Sequence, residues 1–71
     1  MNEFEKQVLT KFKLPLKYDE HGQMVFDQDN RQVLDIRAWG YLQKFPQPEK
    51  IQDALGEMVV KAFNEKYYIN K

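Results

Sequence analysis

The sequence predicts an α+β domain: an N-terminal helix, a two- or three-stranded antiparallel β-meander, and a long C-terminal helix packed on the sheet. Three observations predict it. Apolar residues recur at helical spacing in residues 4–12 and again in 51–63, and between these stretches the period drops to two. Turn-forming clusters, Glu20-His21-Gly22 and Asp27-Gln28-Asp29-Asn30-Arg31, punctuate the alternating stretch. At 71 residues the chain allows a single domain, 1–71, with one small core, so a binding site must lie on the surface or at an edge.

The first helix is expected from Glu3 to about Lys13, within a helix-and-linker segment 1–15. Phe4, Val8, Leu9 and Phe12 fall on one face, and Asn2 with Glu5 forms a capping box that satisfies orphan amides at the helix start. Glu3 and Glu5 at the beginning, with Lys11 and Lys13 at the end, complement the helix dipole. Pro15 stops the helix, because it lacks an amide proton and disfavours helical geometry at Leu14.

Residues 16–37 form the meander. Leu16 and Tyr18 alternate with Lys17 and Asp19, and Gly22 supplies a positive φ in the following turn. Met24 and Phe26 share one face of the next strand and Val25 and Asp27 the other; Leu34 and Ile36 then point inward from the returning strand, Gln32 to Arg37. A hairpin of this size is marginal alone and needs a cover for its apolar face.

After an aromatic connector at 38–47, the cover is the helix from Pro48 to about Tyr67, followed by a tail at 68–71. Ile51, Ala54, Leu55, Met58, Val59, Ala62 and Phe63 form a stripe expected to be core, while Lys50, Asp53, Glu57, Lys61 and Asn64 fall on other faces. Pro48 suits the first helical position and Glu49 the positive end of the dipole. Gly56 interrupts the helix at a cost of roughly 1 kcal/mol relative to Ala. Close approach by another backbone, from the hairpin or a partner chain, explains it, as does tolerance at a solvated position.

Composition narrows function more than it names it. The chain has no cysteine, which removes disulfides and thiolate-held zinc and suits a reducing cytoplasm. Eleven basic and eleven acidic residues give a formal net charge of zero, without the global field that drives non-specific nucleic-acid binding. No apolar run reaches the length of a membrane span, and the acidic start lacks a basic signal-peptide region, so a soluble, unexported protein is expected.

Catalytic constellations are missing. His21, the one histidine, has no Ser, Cys or second His placed to work with it and reads as a solvated turn residue. Asp27, Asp29, Asn30 and Asp35 suggest a calcium loop, but Arg31 and Gln32 stand where a ligand and a Gly are needed, so turn chemistry explains them. We expect no enzyme activity, no cofactor and no metal.

Two sets of surface residues remain. Trp39, Tyr41, Phe45 and Gly56 are the candidate protein-binding set: the aromatics suit a partner's hot spot, although Trp39 also suits a plug for the open end of the core. Lys11, Lys13, Lys17, Lys61, Lys66, Tyr67 and Tyr68 are the candidate nucleic-acid set, combining cations for phosphate with rings for stacking; lysines at helix ends are expected from the dipole alone. The apolar tail Tyr67-Tyr68-Ile69 suits packing on the first helix or self-association.

The string from Asp27 to Leu42, DQDNRQVLDIRAWGYL, followed by Ile51 to Glu57, IQDALGE, and by Phe63-Asn64, resembles small uncharacterised accessory proteins of tailed bacteriophages and prophages, which carry a β-hairpin followed by an amphipathic helix. Ala38 stands where that pattern has Gly. The resemblance covers about two thirds of the chain and implies a non-enzymatic accessory protein in the cytoplasm of a bacterial host. Protein–protein binding that modulates or inhibits a host system, such as a defence complex, is the function expected. Nucleic-acid association is the less favoured alternative, no membrane is implied, and homodimerisation is compatible with either.

Overall fold

The capping box opens the first helix as anticipated: the Glu5 amide donates to Asn2 Oδ1 (2.8 Å) and the Asn2 amide to Glu5 Oε1 (3.4 Å). The computed structural model describes residues 1–37 and 41–69 of the chain. Helix α1, Glu3–Lys11, ends two residues early. The Lys13 amide, which a longer helix would turn back on itself, donates instead to Asp27 Oδ2 (2.9 Å), and the Lys13 carbonyl accepts from the Gln28 amide.

Strands β1 (Lys17–Asp19), β2 (Met24–Phe26) and β3 (Gln32–Asp35) form one antiparallel sheet in the order β1-β2-β3. Residues 17–19 therefore do join the sheet. Between Val25, opposite Leu34, and Phe26, opposite Gln32, the register shifts and leaves Val33 as the extra residue of a bulge. In the first turn the positive φ belongs to Gln23 (54°), not to Gly22. Gly22 lies close to a side chain instead: its amide reaches Asp19 Oδ2, and a Cβ there would lie 3.0 Å from that oxygen, so that the Asp19 side chain would have to give slightly.

Helix α2, Pro48–Asn64, follows a 3-10 turn at Tyr41–Lys44 and runs on into a π-helical turn, Glu65–Ile69. Pro48 is the first helical residue and Gln47, at φ 53°, makes no side-chain cap. The element order is αβββα, with α2 lying on β1 and β2.

Among the described residues the buried apolar side chains are Leu16, Val25 and Ile36, with Leu14, Tyr18, Val33, Val60 and Phe63 packed around them. Val25 in β2 and Asp27 just after it are fully buried and Met24 and Phe26 half-buried, which makes the Val25 face the inner one. Two expectations about sidedness need correction. In β3, Ile36 is buried but Leu34 is 45% exposed. In α2, the stripe assigned to the core turns away from the sheet. Ile51, Ala54, Leu55, Met58 and Ala62 are exposed, and of the seven only Val59 and Phe63 are half-buried.

Candidate functional site

Beside the apolar contacts of Val60 and Phe63 with the core, what docks α2 on the sheet is a set of polar atoms and a missing side chain. Gln52 and Gly56 are the buried residues of the helix. The Tyr18 ring of β1 lies over Gly56, so that a Cβ there would come within 2.2 Å of the ring, and the Tyr18 hydroxyl donates to Asp53 Oδ1 at 2.7 Å. Burial first, then the Asp53 hydrogen bond and the charges of Asp53, Glu20 and Glu57, hold this phenol protonated well above its ordinary range. Two turns on, Asn64 grips the chain just before β1: its Oδ1 accepts from the Leu16 amide and its Nδ2 donates to the Leu16 carbonyl, both at 2.8 Å. Asp53 and Asn64, expected on other faces, are thus inner-face residues, and the close approach at Gly56 is made by a side chain rather than a backbone.

The sheet these contacts rest on is held at its turn by Asp27. Its buried carboxylate accepts from the amides of Lys13, Asp29 and Arg31 and from Arg31 Nη1, all at 2.9–3.0 Å. Burial alone would raise its pKa, but the Lys13 and Arg31 donors outweigh it and pull the group down to about 2. Asp35 is likewise at about 2, through the Arg37 side chain and amide. These aspartates are occupied by their own turn, and among the described residues no cluster of three or more His, Asp or Glu is placed to hold a metal ion.

With its inner side satisfied, α2 presents an apolar ridge outward. Ile51, Leu55 and Met58 are 37%, 41% and 66% exposed at i, i+4 and i+7, and Ala62 continues the line. The 3-10 turn packs against α2, and Tyr41 within it and Phe45 just after it are two exposed rings in edge-on contact at 5.2 Å, with Lys44 Nζ 4.4 Å from the centre of the Tyr41 ring. Chemically the ridge offers area without a charge to desolvate, which is what the centre of a protein interface uses.

Of the candidate protein-binding residues, Tyr41 and Phe45 are on the surface, Gly56 is enclosed beneath Tyr18, and Trp39 lies outside the described residues, as does Gly40. Of the candidate nucleic-acid residues, Lys13, Tyr67 and Tyr68 meet around a depression of about 410 Å³ with Leu9, Phe12 and Leu14. Lys66 lies over the Tyr67 ring, which also contacts Phe63. Lys17 instead donates to Asn30 Oδ1, and Lys11 and Lys61 are exposed on α1 and α2. His21 is an exposed turn residue whose amide donates to Asp19 Oδ1.

The sequence had assigned the ridge to the core. A signal for the true orientation was present: Asp53, Gly56, Val60 and Asn64 also repeat at helical spacing, and a glycine in that row marks the face approached most closely. Among the described residues no helix is long and apolar enough to cross a membrane. Comparison of the chain with family models, with curated proteins and with solved structures finds no match.

Proposed function

We propose that this chain is a non-enzymatic protein-binding module whose docking surface is the outward face of α2, with the exposed rings of Tyr41 and Phe45 as further candidate contacts. The observation that carries the reading is the ridge Ile51, Leu55, Met58 and Ala62, left uncovered on a helix whose other side is fully engaged. Docking on such a face is helix-to-groove or helix-to-helix recognition, with Leu55 and Met58 as central anchors. Modulation of a bacterial host system in the cytoplasm, as a phage or prophage accessory protein, is the setting we propose, supported by the resemblance of residues 27–42 and 51–57. The test is retention of bacterial proteins by the immobilised chain and by the Leu55→Glu/Met58→Glu variant. Proteins held by the first and lost by the second, at an unchanged unfolding midpoint, are expected, soluble copies of the chain itself, added to the lysate, counting among them; identical sets, or none, would overturn the reading.

One observation favours a second reading, nucleic-acid binding: Lys13 shares its depression with Tyr67 and Tyr68. Undetectable binding to single-stranded and duplex DNA at low salt would remove it.

A further inference from the structure

Resting on the reading of the α2 ridge as a docking surface, we propose that its occupant is a second copy of this chain, the two α2 helices lying antiparallel about a two-fold axis. The spacing is the first reason. Ile51, Leu55, Met58 and Ala62 are symmetric about the point between Gly56 and Glu57, so the stripe, inverted and laid on itself, sets Leu55 against Met58 of the second copy and Ile51 against its Ala62. An isologous interface requires that reciprocity. The large Ile51 meets a small residue, and Ala54 and Ala62 let the axes approach within the ordinary ~8–10 Å of packed helices.

Area is the second reason. The chain exposes 5401 Å², whereas a folded monomer of 8.6 kDa exposes about 4,700 Å². The surplus, about 700 Å², belongs to the whole chain, in which Phe4 and Val8 of α1 are exposed as well as the ridge, and it is close to the ~800 Å² each partner contributes to an interface of standard size. The radius of gyration, 13.2 Å, likewise exceeds the ~11 Å of a compact chain of this length. Finally, the net charge of zero leaves no long-range repulsion between copies, and the four ridge side chains carry no group that pairing would strand without water.

The experiment is sedimentation equilibrium of the full chain from micromolar to millimolar concentration, paired with disulfide trapping. The expected mass is twice 8.6 kDa, with Met58→Glu weakening association roughly tenfold or more while leaving the circular dichroism spectrum unchanged. Because the chain has no cysteine of its own, single cysteines report orientation. An Ile51→Cys chain mixed with an Ala62→Cys chain should cross-link to each other, and Ile51→Cys alone should not. A mass of 8.6 kDa at millimolar concentration, or cross-linking of Ile51→Cys to itself in place of the mixed pair, overturns the proposal. Peroxide oxidation of Met58 separates this failure from that of the docking reading. In a monomer, free reaction at Met58 leaves the ridge open to another protein, whereas protection means that the ridge is covered within the chain and both readings fall.

Discussion

On its sheet side α2 presents Gln52, Asp53, Gly56 and Asn64; on the opposite side it presents Ile51, Leu55, Met58 and Ala62. The inner contacts are directional: a phenol to a carboxylate, an amide to a backbone N–H and C=O, a ring against a bare Cα. Each has one geometry in which it is satisfied, and together they fix the rotation of the helix about its own axis. The outer residues have no such requirement and will pack against any apolar surface of fitting shape. Orientation is therefore specified by polar complementarity and glycine, with Val60 and Phe63 packed against the core, while the apolar area of the ridge is left uncommitted.

Acid gives the largest expected separation of the two faces, because the four ridge residues do not titrate and the framework beneath the inner face does. The Asp27 carboxyl is lowered from 3.8 to about 2 by folding, so its stabilisation is fully present above the unfolded value and is lost as pH falls through the folded one. Unfolding followed by circular dichroism should therefore steepen between pH 4 and 2, and Asp35, shifted the same way, adds to it. A flat profile across that window would remove Asp27 from this role.

Gly56→Ala comes next. It gains about 1 kcal/mol of helix propensity but drives a methyl group into the Tyr18 ring and dislodges its hydrogen bond, for a net loss of about 2 kcal/mol in urea denaturation. The same substitution in a Tyr18→Ala background should be neutral or stabilising, which isolates the contact. Asn64→Ala leaves the Leu16 amide and carbonyl without their partners and should cost about 1–2 kcal/mol. Tyr18→Phe, which removes only the hydroxyl, should cost about 1 kcal/mol. At the small end stands Met58→Glu, within about 0.5 kcal/mol of wild type in the monomer; a larger loss would place Met58 in the fold after all and erase the distinction between the faces.

Periodicity found α1, the three strands and α2, because repeat spacing is set by the local geometry of helix and strand. It did not find which way α2 faces, because a stripe records that Ile51, Leu55 and Met58 share a side and says nothing of what lies opposite. That was decided by Tyr18, 38 residues from Gly56 in the sequence, whose ring needs a gap and whose hydroxyl needs an acceptor. Strand β2 was ambiguous for a related reason: Met24, Val25 and Phe26 are all apolar, so alternation has no contrast there. Asp27 is buried because Lys13, Asp29 and Arg31 converge on it, a set of donors that composition recognises as a turn without revealing that the turn is closed over. The exposed ridge was hidden by the same rule that revealed the fold, since apolar residues on a helix read as core until the core is seen to be small.

The clamp between Asn64 and Leu16 joins residues 48 apart, and this gives it a meaning in time as well as in space. Closing so long a loop costs chain entropy that the contact repays only when the meander and α2 already have their local structure. Only then can the amide close the loop that lays the helix down. The clamp is thus a long-range closure, and a chain in which it is open leaves one face of the sheet without its cover.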